Sequence, residues 1–166
     1  MLKNYEFDCG CSWPILSENP LRLDFDIHKI PLDCPRTYYM LSTGKTKGVF
    51  QLEKYLGKKW CKELRPESIE HISALGALLR PGCLKAKDKD GISTTEHYCL
   101  RKNKQEKVEY LHECLQNVLN DAYGLMIFQE HAINIAKIVA GFNPVQADTL
   151  RKCTTKDTKF VSKTRG

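Results

Sequence analysis

Residues 123–152, YGLMIFQEHAINIAKIVAGFNPVQADTLRK, decide how the rest of the chain is read. Phe128, Ala132, Ile135 and Val139 recur at steps of four and three, which predicts one buried face of a helix. Glu130, Asn134 and Lys137 fall on the opposite face. Gly141 stands where a left-handed residue would end that helix. Asn143, Pro144 and Gln146 then spell an N-cap, a first helical proline and a capping box. The second helix carries Asp148 and closes on Leu150-Arg151-Lys152. Two adjacent cations delivered by a helical pair are a device for holding phosphate. Cations near a helix C-terminus also suit the dipole, and spacing alone favours that plainer explanation.

Working outward, the flanking segments are also helical. Asp33 is the expected N-cap of a helix entering through Cys34-Pro35, with Tyr38 and Leu41 inward and a stop near Gly44. Residues 48–52 read as a short extended segment. Leu52, Leu56, Trp60 and Leu64 then predict one side of the next helix, with Lys54, Lys58, Lys59 and Lys62 largely off that stripe. A helix over 67–79 should bury Ile69, Ile72, Gly76 and Leu79, the glycine allowing close helix approach. Arg80-Pro81-Gly82-Cys83 reads as a hard stop. Residues 85–107 are charged enough to predict an exposed loop with one short helix around 95–102. Leu111, Leu115, Val118 and Leu119 form another amphipathic turn or two, closed by 121–124.

The N-terminal residues 1–29 are turn-rich, with a strand-like alternation of Leu23, Phe25 and Ile27 against Asp24, Asp26 and His28. Asp24 and Asp26 resemble a metal-binding pair, but a half-buried strand gives the same pattern and is the better reading. The expected organisation is this segment, a helical domain over 30–153 and a basic, disordered tail over 154–166. The fold class is mainly α, with one or two short strands near the N-terminus.

In a chain of 166 residues, 42% hydrophobic and 28% charged content is ordinary for a globular domain. No apolar run approaches the about 20 residues of a membrane span, and the first residues are no signal peptide, so the expected compartment is the cytoplasm. A net charge of +6 leans toward polyanionic partners, nucleic acid first. Of eight cysteines only Cys9 and Cys11 are clustered. They make half a metal site that His28 or Cys34 would have to complete, and the tetrahedral zinc spacing is missing.

Three ordered blocks carry a resemblance. They are Ile30-Pro31-Leu32-Asp33 through Gly48-Val49-Phe50-Gln51-Leu52-Glu53, then Leu64-Arg65-Pro66-Glu67 through Leu79-Arg80-Pro81-Gly82, then Tyr123-Gly124 through Phe128-Gln129-Glu130 to Asp148-Thr149-Leu150-Arg151-Lys152. Together they resemble the alpha subunit of bacterial and phage DNA polymerase III, the C-family replicative polymerases, at the start of the fingers domain. The resemblance implies a helical fingers subdomain, DNA and dNTP as partners, and a role in DNA-templated nucleotidyl transfer. Further partners would be the remaining polymerase domains or replisome subunits. It implies that Arg151 and Lys152 contact the incoming triphosphate, where the family carries an arginine pair; Lys152 departs from it. It implies no catalytic residue on this chain, because the magnesium ions of the family sit on palm aspartates without a counterpart here. Glu6-Phe7-Asp8 is a faint match to one palm strand, and Asp8 is not expected to be that ligand. Cys83 and His131 depart from the family's pattern, as does the run after Lys152. The isolated chain is thus expected to be inactive. The alternatives are a non-catalytic DNA- or nucleotide-binding module, a split-polymerase piece that docks to a palm-bearing chain, and a metal module built on Cys9 and Cys11.

Overall fold

The structure is a computed structural model and describes residues 4–6, 12–14, 28 and 30–155. Among the described residues there are eight α-helices and one antiparallel pair of three-residue strands, β1 (Asn4–Glu6) and β2 (Ser12–Pro14). Tyr5 stands opposite Trp13 in that pair. The mainly helical expectation is met, with two short strands at the N-terminus. The strand expected over 23–27 lies outside the described residues, as do Asp8, Cys9, Cys11, Asp24 and Asp26. No helix of the described residues is long and apolar enough to cross a membrane. The chain gathers into two compact units that divide between Leu75 and Gly76.

In the first unit α1 (Pro35–Ser42) packs on α2 (Tyr55–Leu64). Pro35 takes the first helical position, so the N-cap is Cys34, not Asp33. The Cys34 carbonyl accepts the N–H groups of Thr37 and Tyr38. Leu41 is buried as expected, while Tyr38 is half-buried and donates its hydroxyl to the Leu32 carbonyl. Residues 48–52 form a tight turn instead of an extended segment. Val49 N–H bonds the Thr46 carbonyl, Leu52 N–H bonds the Val49 carbonyl, and Gln51 is left-handed at φ 61°. The buried face of α2 is Gly57, Trp60, Cys61 and Leu64, and Leu56 is half exposed. Leu52, Trp60 and Leu64 of the expected stripe are buried, and only Leu56 turns outward, since strict four-residue steps drift about 40° per step around a helix. Burial pushes the Cys61 thiol up to about 11, which marks it as a packing residue.

Gly57 is where the turn meets the helix. A Cβ there would lie 2.6 Å from Leu52 Cα and 2.7 Å from the Gln51 carbonyl oxygen, both backbone atoms that cannot swing aside. Gly57→Ala is therefore expected to destabilise this unit by roughly 1–3 kcal/mol, although alanine is the better helix former. Urea unfolding checks it, and an unchanged or raised midpoint would count against the close approach.

α3 (Ile69–Leu78) buries Ala74, Leu75, Ala77 and Leu78. Gly76, expected at a close helix contact, faces open space, and Ile69 is exposed. The core takes two alanines beside two leucines, while Ile72 and Leu79 are half-buried. Arg80-Pro81 does not stop the chain but starts α4 (Pro81–Lys85), because a proline at the first helical position needs no N–H partner.

The second unit continues with α5 (Thr94–Lys102), opened by a Ser93/Glu96 capping box. This is the short helix expected near 95–102, but its setting is not an exposed loop. Thr95, Tyr98 and Cys99 are buried, Thr95 donates to the Leu78 carbonyl at 2.9 Å, and Tyr98 meets Tyr123 edge-on at 5.1 Å. His97 and Arg101 of this helix join Asp88 and Glu106 in one network. His97 Nδ1 lies 2.6 Å from Glu106 and Nε2 lies 2.9 Å from Asp88; Arg101 Nε donates to Glu106 at 2.7 Å and its NH1 to the Tyr123 carbonyl at 3.0 Å. A turn of 3₁₀ helix, α6 (Gln116–Leu119) and a second 3₁₀ turn follow, burying Leu115 and Leu119 but leaving Leu111 in water. α7 (Gln129–Ala140) and α8 (Pro144–Thr155) close the unit, packed on one another.

Burial disfavours the charged imidazole of His97, but hydrogen bonds to Glu106 and Asp88 outweigh it and raise its pKa. Asp88 is held low by the Ile92 N–H and by His97. For Glu106, burial works the other way, and bonds from Arg101 and His97 prevail to lower it. A raised histidine contributes stability that is complete below its ordinary value of 6.5 and is lost as pH climbs through the raised one. The lowered carboxylates contribute above their ordinary range and lose that contribution in acid. The thermal midpoint is expected to decline as pH rises from 6.5, and His97→Asn should flatten that decline. A variant with the same pH slope as the wild type would contradict the assignment.

Candidate functional site

The α7–α8 pair is built as its sequence predicts at the corner and differs along its length. Gly141 is left-handed at φ 65°, Asn143 Oδ1 accepts the Gln146 N–H at 2.9 Å, and Gln146 Oε1 accepts the Asn143 N–H at 3.0 Å. Along α7 the buried residues are His131 and Ala136, with Ala132 and Ile135 half-buried and Val139 exposed. The helix is seated at its first turn by a polar residue. His131 Nδ1 accepts the Ile127 N–H at 3.3 Å, and Nε2 lies 3.2 Å from Asp121. An apolar pattern cannot show such an anchor.

α8 runs on to Thr155, so Arg151 and Lys152 sit about a turn before its last residue. The two cations converge on one carboxylate. Arg151 Nε donates to Asp148 Oδ1 at 2.9 Å and its Nη2 reaches the same oxygen at 2.8 Å. Lys152 Nζ lies 2.6 Å from Asp148 Oδ2. Arg151 Nη1 also donates to Gln129 Oε1 at 3.0 Å, tying α8 to the first residue of α7. Hydrogen bonds from Lys152 and then Arg151 hold the Asp148 carboxyl below its ordinary range. The Arg151 side chain is 24% exposed and that of Lys152 63%. The result is one oriented guanidinium and one exposed ammonium with a net positive charge, held by a carboxylate that an incoming phosphate would have to replace.

The sequence places Asp148 three and four residues before the cations, the spacing of helical ion pairs, so this partner was legible. Gln129 was not, being 22 residues from Arg151. Of the other metal-ligand candidates, His28 is exposed and Cys34 caps α1. Among the described residues no group of three His, Cys, Asp or Glu side chains converges to hold an ion. A cavity of about 840 Å³ is lined in the first unit by Ile30, Leu32, Tyr38, Met40 and Ile72, and neither Arg151 nor Lys152 lines it.

Residues 16–165 match the model of the bacterial DNA polymerase III alpha subunit finger domain. The chain is 43% identical over 130 residues to the DNA polymerase III subunit alpha of Aquifex aeolicus, covering 78% of this chain and 11% of that protein. It is 38% identical over 145 residues to the Rickettsia prowazekii subunit, covering 87% and 11%. The Staphylococcus aureus subunit is 38% identical over 141 residues, covering 85% and 12%. The chain thus spans about a ninth of the length of these relatives.

Proposed function

This chain belongs to the family of bacterial DNA polymerase III alpha subunit finger domains, and on that footing we propose that it forms the part of a replicative, DNA-directed DNA polymerase that grips the incoming dNTP by its triphosphate. The stretch 30–153 is the working fingers region, and the cytoplasm is its compartment. The observation that carries the reading is the convergence of Arg151 and Lys152 on Asp148, with Arg151 anchored to Gln129. A triphosphate displaces Asp148 from the pair. The guanidinium fork then takes two phosphate oxygens, and the lysine follows as a point charge. During transfer negative charge moves toward the leaving pyrophosphate, and fixed cations there lower the barrier. Metal ions stabilise the same charge in such reactions, and by resemblance to the family we assign them to palm carboxylates.

The test is a chimera in which residues 30–153 replace the matching segment of a relative such as the Aquifex alpha subunit. Primer extension with magnesium is expected, whereas the 166-residue chain alone should add no nucleotide. A folded chimera that binds primer-template and fails to extend it, or robust synthesis by the chain alone, would overturn the proposal.

A further inference from the structure

The first turn of α7 is held by a side chain that can change its charge, and that turn carries the residue that orients Arg151. His131 is 3% exposed, with Phe128 edge-on to its ring at 5.2 Å. Its Nδ1 accepts the Ile127 N–H at 3.3 Å and, at 3.5 Å, the N–H of Phe128, the N-cap of α7. An imidazole nitrogen that accepts carries no proton, so the ring's proton sits on Nε2, which donates to the Asp121 carboxylate at 3.2 Å. The site is built for the neutral ring. A second proton would enter at Nδ1, where two N–H donors already point. The ring then has to turn away, and both backbone donors lose their acceptor.

Gln129 is the first residue of α7, between the capped Phe128 and His131, and its Oε1 accepts Arg151 Nη1 at 3.0 Å. We propose that His131 is a positioning residue for Arg151: its neutral imidazole fixes the first turn of α7, Gln129 passes that order to the guanidinium, and, on the reading that Arg151 grips the triphosphate, acid loosens that grip. The charged surroundings do not cancel the effect. Asp121 favours a cationic ring from the Nε2 side, but its side chain is 66% exposed and screened by water, and it offers Nδ1 no acceptor. Of the elements packed on α7, α6 carries no titratable residue and the 3₁₀ turn before it brings Glu113 and Cys114. α8 brings Asp148, Arg151, Lys152 and Cys153, and α7 itself adds the exposed Glu130 and Lys137. Asp148 stays ionised in mild acid, because Lys152 and then Arg151 hold its carboxyl below the ordinary range.

Calorimetric titration of the purified 166-residue chain with a dNTP at about pH 8 and about pH 5 tests this, beside NMR of the Arg151 Nε–H and of the Ile127 and Phe128 amides. A glutamine at this third helical position also accepts the N-cap N–H and does not titrate, so His131→Gln should match the wild type at the higher pH. Between the two, the wild type is expected to lose roughly two- to thirtyfold more affinity than His131→Gln, the range of one lost cap. Protonation of the nucleotide and of every other group is common to both chains and drops out of the comparison. In acid the two amides should lose protection and the Arg151 signal broaden in the wild type alone. Equal pH slopes for wild type and His131→Gln, or an Arg151 signal that ignores pH while the amides respond, would overturn the proposal. If amides and Arg151 respond as stated but neither chain prefers a dNTP to a dNMP, the triphosphate reading fails while the positioning role stands, so the two failures are distinguishable.

Discussion

Arg151→Ala in the polymerase chimera is expected to lower the rate of nucleotide addition roughly 100- to 1,000-fold, the loss seen when one preorganised donor to developing charge is removed. So large an effect is expected from the way this side chain is held. Its guanidinium is fixed on two sides, by Asp148 within α8 and by Gln129 from α7, so little ordering remains for the substrate to impose. Arg151→Lys should recover only part of the loss, because an ammonium cannot reproduce the fork. Lys152→Ala should cost less, since its exposed ammonium meets solvent and a single partner oxygen. Single-turnover extension at saturating dNTP checks the order. A near-wild-type rate for Arg151→Ala would remove Arg151 from the chemistry.

The second large effect concerns the scaffold. Tyr98→Ala is expected to destabilise the second unit by roughly 3–5 kcal/mol, a large part of a typical domain's stability of about 5–15 kcal/mol. Tyr98 is 1% exposed, buried enough that its phenol is pushed well above the usual range, and its ring meets Tyr123 edge-on. Tyr123 is itself left-handed, and its carbonyl is held by Arg101, so the ring pair fixes the segment that leads into α7. Tyr98→Phe keeps the ring contact and should cost far less. Urea midpoints of the two variants decide it; equal midpoints would show that the ring pair does not matter.

How far the sequence could be read depended on the range of each interaction. The corner between α7 and α8 was legible because capping is local: Gly141, Asn143, Pro144 and Gln146 act within four residues of one another. Arg151 and Lys152 were found as a pair for the same reason, and their family assignment came from resemblance, not spacing. Buried faces were read less well. α2 and α3 bury alanine, cysteine and glycine positions that a pattern of large apolar residues passes over, while Leu56, Ile69 and Val139 stay outside. In the segment over 85–107 the short helix and the exposed residues 85–91 were legible, but the network of Asp88, His97, Arg101 and Glu106 was not, since composition cannot reveal such pairing. The Arg151–Gln129 bond had no local signal at all.

The central claim is that Arg151 and Lys152 hold a triphosphate. Calorimetric titration of the purified chain with a dNTP and, in parallel, with the corresponding dNMP tests it most directly. Tighter binding of the triphosphate is expected, with loss of that preference in Arg151→Ala with Lys152→Ala. A preference of the same size in the double variant, or none in the wild type, would contradict it.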